Sequence, residues 1–255
     1  MMSSSGPTPE KARLGPPPRW FRCPRKGAVI AGKFVPFKTP LCELYDDQVP
    51  EMYRFLSQML IASLQTLRLK VGLWVDLTFT DRFYAKEDVE KHGCRYVKMN
   101  LRGHGEFPSP HQTEAFLTLC RDFIKQNPTE VIAVHCTHGF NRTGFLIASY
   151  LVNVMDWSIE AAVREFAMAR PPGIYKQDYL EELFRRFGEV EDTPPAPALP
   201  DWCDVAGVRA AVGGSPSRPR PGGDSSSPAK VSPDVPMDQK WVSREPARVH
   251  GHPEH

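Results

Sequence analysis

No stretch of this 255-residue sequence approaches the roughly 20 consecutive apolar residues that a membrane-spanning helix requires. Its six cysteines form no Cys-x-x-Cys pair, and no secretory leader precedes them. The formal net charge of only +2 gives no whole-chain sign of a polyanionic partner. We therefore expect a soluble intracellular protein with reduced thiols that has no contact with membranes.

The composition divides the chain into three zones. Residues 1–14 are polar and are predicted to be disordered. Residues 15–192 alternate strand-like and helix-like apolar patterns and are predicted to form one domain. Residues 193–255 contain 12 of the 26 prolines and show no apolar periodicity. They are predicted to be a disordered tail, although Trp202 is expected to pack back on the domain.

Residues 15–192 are predicted to have an α/β fold. Three apolar runs are typical of buried strands: Val71–Thr78, Cys94–Asn100 and Val131–His135. Six amphipathic stretches predict helices: Met52–Leu67, Lys86–Lys91, Thr113–Gln126, Arg142–Met155, Ser158–Ala169 and Gln177–Phe187. Because these strands and helices alternate along the chain, we predict a central, largely parallel sheet.

The stretch VIAVHCTHGFNRTG, Val131–Gly144, contains the strongest chemical signal. An apolar strand ends at Cys136, a short loop follows, and a helical pattern begins at Arg142. A loop that leads into a helix N-terminus presents backbone N–H groups and the positive end of the helix dipole to an anion. Together with the Arg142 guanidinium, these groups are expected to lower the pKa of the Cys136 thiol and to favour the nucleophilic thiolate.

The same loop is suited to hold a phosphoryl group against the sulfur. The planar Arg142 guanidinium can bind two phosphate oxygens at once, and Gly139 permits the tight curvature of the loop. The other predicted phosphate-binding residues are Thr137, His138, Phe140, Asn141 and Thr143. The Thr143 hydroxyl can also donate a hydrogen bond to the departing sulfur. We predict two in-line displacements through a phosphocysteine, with neither a metal nor another cofactor.

The Cys-x5-Arg spacing is not specific by itself. A second match, Cys203–Arg209, has no strand before it and no apolar helix after it, and Asp204 would oppose a thiolate. Only the first match combines an apolar strand, His135, the loop glycine and a following helix. We therefore place the chemistry at Cys136.

These residues resemble the cysteine phosphatase superfamily, whose signature is His-Cys-x5-Arg followed by threonine or serine. The string HCTHGFNRTG, His135–Gly144, resembles more narrowly the RNA 5′-triphosphatase domains of animal mRNA capping enzymes. Four further stretches agree: Pro17–Gly27, Val75–Tyr84, Met155–Val163 and Ala169–Gly188. The resemblance implies a twisted central sheet with helices on both faces. It also implies a nuclear enzyme that removes the γ-phosphate of 5′-triphosphate RNA, the first step of mRNA capping.

The resemblance covers approximately residues 16–203 and does not extend to the guanylyltransferase domain of capping enzymes. That domain carries its active lysine in a Lys-x-Asp-Gly motif, which this sequence lacks. We therefore expect the chain to act on 5′-triphosphate RNA without capping it alone. A guanylyltransferase or the transcription machinery would then be a partner in trans, and we expect the chain to be a monomer.

No aspartate occurs between Asp88 and Asp122, a region that includes the loop upstream of the cysteine, Asn100–Glu114. Protein-directed members of the superfamily use an aspartate there to protonate a tyrosine leaving group, whose pKa is about 10. A diphosphate leaving group, with a pKa of about 6, needs no such proton. The missing acid therefore favours an anhydride substrate. The alternative is a dual-specificity protein or phosphoinositide phosphatase.

Several accessory residues have two open interpretations. His104 and Glu106 could replace the missing acid or belong to a polar surface loop. Asp76, at the end of an apolar strand, either is structural or orients a loop arginine, and Gln177 could orient the attacking water. The segment Lys11–Lys38 has eight basic residues and no acidic one, and it is either a phosphate track for RNA or a solvated basic segment.

Overall fold

The computed structural model describes residues 6–103 and 105–203, within which the chain forms four strands and seven α-helices. The strands are β1 (Phe34–Lys38), β2 (Val71–Asp76), β3 (Arg95–Lys98) and β4 (Val131–Cys136). The helices are α1 (Pro9–Ala12), α2 (Ser57–Gln65), α3 (Glu87–Glu90), α4 (Pro110–Gln126), α5 (Asn141–Met155), α6 (Ile159–Ala169) and α7 (Gln177–Phe187). Short 3₁₀ turns lie at Glu43–Tyr45, Glu51–Tyr53, Val190–Asp192 and Asp201–Cys203.

The four strands form one parallel sheet in the order β1-β4-β2-β3. The predicted parallel sheet is therefore confirmed, but β1 is a strand that the sequence patterns did not indicate. Pro36 interrupts the strand signal there, and an edge strand tolerates a proline whose missing N–H faces away from the neighbouring strand. The Pro36 carbonyl accepts a hydrogen bond from the Gly27 N–H, on the side away from β4. Since all strands run the same way, their carboxyl ends meet at one edge, where Cys136 ends β4.

Helices pack on both faces of the sheet, as the resemblance implied. Alternate residues of β4 divide between two cores, because successive side chains of a strand point to opposite faces. Ile132 and Val134 pack with α4, α5, α6 and α7, and Ala133 packs with α2, α3 and the N-terminal segment. Both faces are thus buried, which is why β2 and β4 appear in the sequence as continuous apolar runs.

The predicted helix Met52–Leu67 is in fact a 3₁₀ turn followed by the shorter α2. Between the turn and α2, the Phe55 carbonyl accepts a hydrogen bond from the Leu41 N–H at 2.9 Å. A carbonyl that bonds a distant segment is not available to the next helical turn, so the helix begins only at Ser57. The apolar periodicity alone did not contain this information.

The N-terminal end of the described chain differs from the predicted boundary, whereas the expected packing of Trp202 on the domain is confirmed. α1 lies within the segment predicted to be disordered, and Ala12 is buried. At the other end, the Trp202 ring packs against Phe140, with ring centroids 5.3 Å apart. Residues 204–255, including the rest of the Cys203–Arg209 match and most of the predicted tail, lie outside the described residues. In the described part of the chain, no helix is long and apolar enough to cross a membrane.

Candidate active site

Cys136 lies at the carboxyl end of β4, at the mouth of the loop that leads into α5. Its side chain is buried, and the Gly139 N–H donates a hydrogen bond to Sγ at 3.3 Å. α5 begins at Asn141, so that its N-terminal turn also faces the loop. On its other side α5 packs closely against α6, because Gly144 faces Phe166, where a Cβ would be only 2.6 Å from a ring carbon.

The surroundings of Cys136 favour its thiolate. Burial raises the pKa of the thiol, but the Arg142 guanidinium, Thr143 and the Gly139 N–H together lower it by more. The pKa of Cys136 is therefore lower than that of an ordinary cysteine. The Thr143 hydroxyl is buried and forms no hydrogen bond of good geometry, although it is close enough to the sulfur to help lower this pKa. The Thr143 hydroxyl can therefore donate a hydrogen bond to Sγ of Cys136 when the sulfur is a thiolate.

Arg142 is held in position by the ends of two neighbouring strands. Its Nη1 donates to the Leu101 carbonyl at 2.7 Å and to the Leu77 carbonyl at 3.3 Å, while Nη2 donates to Thr137 Oγ1 at 3.0 Å. Within residues 6–103 and 105–203, no carboxylate forms an ion pair with Arg142. The guanidinium is thus oriented without being neutralised, which suits a phosphate clamp.

Gly139 adopts a backbone conformation that other residues rarely reach. Its φ is +74°, and a Cβ at this position would lie 2.0 Å from the Phe37 carbonyl oxygen. The close approach of β1 to the loop therefore requires glycine, in agreement with the curvature expected from the sequence.

The side chains of His135, in β4, and of His138, in the loop, both form hydrogen bonds to other groups of the protein. His135 is fully buried, and its Nε2 lies 2.6 Å from the Tyr84 hydroxyl. His138 Nε2 lies 2.8 Å from the Pro18 carbonyl, so this side chain bonds backbone rather than pointing into the loop. Burial is the largest cause that lowers the pKa of His138, to about 4, and that of His135 is also lowered. Both rings are neutral at pH 7.

Asp76 is buried in a network of hydrogen bonds behind the site. Its carboxylate accepts from the Thr78 N–H at 2.8 Å and from Lys98 Nζ at 2.9 Å, and it also bonds the hydroxyls of Tyr84 and Tyr96. Burial raises the pKa of Asp76, but His135, Lys98 and Thr78 lower it more, so the group is ionised. These contacts fit the structural interpretation, since Asp76 bonds neither Cys136 nor Arg142.

Arg170 belongs to the site but was not identified from the sequence. It is buried, and its guanidinium donates to the carbonyls of Gly139, His138 and Pro24 at 3.1, 2.8 and 2.8 Å. Its Cζ also lies 4.4 Å from the centre of the Phe140 ring. By binding two loop carbonyls from outside, Arg170 keeps the loop N–H groups turned inward. Burial lowers its pKa to about 10, so it remains charged at pH 7.

We expect Arg170→Lys to lower kcat/KM about tenfold and the free energy of unfolding by about 2 kcal/mol, because lysine cannot bond three separated carbonyls. Steady-state kinetics and thermal unfolding would measure the two effects. Arg164→Lys, an exposed substitution on α6, is the matched control and should change neither. An Arg170→Lys enzyme with unchanged kcat/KM would show that the guanidinium does not organise the loop.

The structure does not bring the accessory polar residues to the sulfur. Gln177 is exposed, and its Oε1 accepts a hydrogen bond from the Ala196 N–H at 2.7 Å, on the side of the C-terminal segment. The Glu106 carbonyl accepts from the Tyr179 hydroxyl, while its side chain is exposed. His104 lies outside the described residues.

The basic segment Lys11–Lys38 does not form one continuous phosphate track. Lys11 pairs with Asp81, Arg25 donates to two backbone carbonyls, and Lys33 donates to the Pro128 carbonyl. Lys38 is buried, with its Nζ 3.6 Å from the centre of the Trp20 ring, and burial lowers its pKa to about 7. Half of the eight cations thus stabilise the fold. Among the described residues, no group of three or more His, Cys, Asp or Glu side chains is placed to bind a metal.

Comparison with known proteins places this arrangement among phosphatases. The family model "Dual specificity phosphatase, catalytic domain" matches residues 55–187. Over 192 residues, the chain is 62% identical to the mRNA-capping enzyme of Danio rerio, covering 75% of this chain and 32% of that protein. It is 36% identical to the RNA/RNP complex-1-interacting phosphatase homolog of Caenorhabditis elegans, covering 66% of this chain and 74% of that protein.

The chain therefore spans about a third of the length of the capping enzymes that it matches. Among solved structures, Tk-PTP in its active form aligns with a TM-score of 0.50 at 16% identity, over 64% of this chain and 96% of that chain. At this identity the structural likeness shows a shared fold only. It agrees with the sheet and helices described above.

Proposed function

The chain belongs to the dual specificity phosphatase catalytic-domain family, and on this premise we propose that it is a metal-independent RNA 5′-triphosphatase. The observation that carries the proposal is a phosphate loop with a thiol of lowered pKa and a positioned guanidinium, which forms no ion pair with a carboxylate within the described residues. The capping enzymes that the chain resembles at 62% and 58% identity support the same substrate.

In the first step, the Cys136 thiolate attacks the γ-phosphorus in line with the bond to the bridging oxygen. The S–P bond forms, the P–O bond breaks, and the RNA leaves with a 5′-diphosphate. The loop N–H groups and the Arg142 guanidinium bind the γ-phosphate oxygens, whose charge they stabilise in the transition state. The product of this step is a phosphocysteine.

In the second step, water attacks the phosphocysteine, the S–P bond breaks, and inorganic phosphate leaves. The sulfur departs as a thiolate, which the Gly139 N–H and the Thr143 hydroxyl stabilise. The Thr143 hydroxyl is suited to this role because it has no other hydrogen-bond partner in the described structure. The two displacements regenerate the starting enzyme without a cofactor.

The substrate class is inferred from the carboxyl groups near the site, none of which, among the described residues, is placed to protonate a leaving group. The oxygens of Asp76, the buried carboxylate behind the loop, are already bonded by Thr78, Tyr84, Tyr96 and Lys98. In the described parts of the loop that follows β3, the only carboxylate side chain before α4 is that of Glu106, which is exposed. A leaving group that needs no proton, such as a diphosphate, fits this site better than a tyrosine phenolate does.

The test is phosphate release, in EDTA, from γ-labelled triphosphate RNA and from a phosphotyrosine peptide side by side. We expect a kcat/KM at least about a hundredfold higher for the RNA, because the two leaving groups differ by about four pKa units. Equal or faster release from the peptide would overturn the substrate and favour the alternative, a dual-specificity protein phosphatase. Loss of RNA activity in EDTA would overturn the metal-independent mechanism.

The product, a 5′-diphosphate RNA end, is a substrate for nucleotidyl transfer by a guanylyltransferase. We therefore place the reaction at the first step of mRNA capping, in the nucleus, with the guanylyltransferase or the transcription machinery as the partner. Co-purification of the chain with guanylyltransferase activity from nuclear extract would support this placement.

A further inference from the structure

Phe79 is an exposed aromatic residue next to the phosphate loop. Its side chain remains 57% exposed, although it follows the buried strand β2. The guanidinium of Arg102 lies over its ring, with Cζ 5.2 Å from the ring centre. A cation and an aromatic face thus share one patch of surface.

The contacts of Arg142 place this pair at the rim of the phosphate site. Arg142 donates to the carbonyls of Leu77 and Leu101, and Phe79 and Arg102 follow those residues by two positions and by one. Two residues span at most about 7 Å of chain. Gly103 also borders the clamp, since a Cβ there would lie 4.0 Å from the Arg142 guanidinium. The Phe79–Arg102 pair is therefore close to the group that would hold the γ-phosphate.

Among the described residues, Phe79 and Arg102 are both exposed and contact each other through a cation–π interaction. In the part of the chain that the structure describes, Arg102 forms no ion pair, and the Phe79 ring has no aromatic partner. An exposed aromatic face binds nucleobases by stacking, and a free guanidinium binds phosphate. A 5′-triphosphate RNA carries both groups next to its γ-phosphate.

We propose that Phe79 and Arg102 form a subsite for the first transcribed nucleotide, in which the base stacks on Phe79 and Arg102 binds a phosphate of the chain. This inference rests on the proposed function and specifies how the RNA is recognised. A patch with both a π-face and a cation fits a nucleotide better than a phosphotyrosine peptide, because a 5′-triphosphate nucleotide has further phosphates for Arg102 besides the γ-phosphate, whereas a phosphotyrosine has only one phosphate.

Phe79→Ala is expected to raise KM for a triphosphate oligoribonucleotide about tenfold, with kcat changed less than about twofold. KM for inorganic triphosphate, which has the same anhydride but no base, should stay unchanged. Phe79→Trp should restore the low KM because it restores the stacking face. Leu67→Ala is the matched control, since Leu67 is 55% exposed and lies between α2 and β2, at the opposite edge of the sheet.

A tenfold effect on inorganic triphosphate as well would overturn the base-stacking assignment, as would an effect on a phosphopeptide alone. A binding measurement separates this inference from the proposed function. In a Cys136→Ser background, which cannot turn over, Phe79→Ala should weaken binding of the triphosphate oligoribonucleotide about tenfold but not binding of the same strand with an abasic first nucleotide. Equal weakening of both strands would contradict the subsite even if the enzyme hydrolysed RNA.

Discussion

Replacing Cys136 by serine is expected to lower kcat for γ-phosphate release by about four orders of magnitude, as the loss of a catalytic nucleophile does. A serine hydroxyl stays protonated in the environment that lowers the pKa of the thiol, so the nucleophile that accepts the phosphoryl group is lost. The binding loop remains, because the Arg142 and Arg170 contacts do not involve the sulfur. Phosphate release and binding of triphosphate RNA, measured on the same variant, would distinguish these effects.

Cys42→Ser is a suitable control because Cys42 is a partly exposed thiol whose N–H donates a hydrogen bond to the Phe83 carbonyl, outside the phosphate loop. It should retain full activity. Acid quenching of the wild-type enzyme during turnover should leave label from the γ-phosphate on Cys136, and quenching of Cys136→Ser should leave none. Turnover near the wild-type rate in Cys136→Ser would eliminate the covalent mechanism.

Arg142→Lys is expected to lower kcat/KM by about two to three orders of magnitude, in the range found when one donor to a transition-state oxyanion is removed. A lysine keeps the charge, but its single ammonium cannot bond the Leu101 carbonyl, Thr137 and two phosphate oxygens together. Arg121→Lys, an exposed change on α4, provides the control. A small loss in Arg142→Lys would mean that charge alone, and not the fork geometry, binds the phosphate.

Arg142 also affects how the reactivity of Cys136 depends on pH, and the direction of this effect follows from the Cys136 pKa. The thiolate is the reactive form, so activity is present above this pKa and is lost as the pH falls through it. Arg142 is the largest of the groups that lower the Cys136 pKa. Arg142→Ala should therefore move the acidic limb of thiol alkylation to higher pH, whereas Arg142→Lys should leave it nearly in place. An unmoved limb in Arg142→Ala would assign the activation to the loop N–H groups.

The β4–loop–α5 unit was predictable because its signals are local. An apolar run, a cysteine, a glycine and an apolar helical period follow one another within one short stretch of chain. Gly139 shows why such a signal is strong, since its positive φ and its contact with Phe37 leave no space for a side chain. The predicted reactivity of Cys136 depends on the same short stretch.

Residues that join the loop from distant parts of the chain were not predictable in this way. Arg170 follows an amphipathic helix, where an arginine normally faces solvent, and only the packing of α6 against α5 brings it to the loop carbonyls. β1 was missed because Pro36 interrupts its strand signal, and only its pairing with β4 identifies it as a strand. Gln177 was considered as a water-orienting residue because the resemblance implied that its neighbourhood lies near the pocket, yet its side chain bonds Ala196.

The sequence by itself determined the class of fold, the positions proposed for the nucleophile and the clamp, and the absence of an aspartate between Asp88 and Asp122. Each of these depends on residue type and near-neighbour spacing. Only the tertiary structure decided how the clamp is held and which side chains surround it. The Leu77 and Leu101 carbonyls meet at Arg142, and Phe79 and Arg102 meet beside it, because parallel strands bring their carboxyl ends to one edge of the sheet.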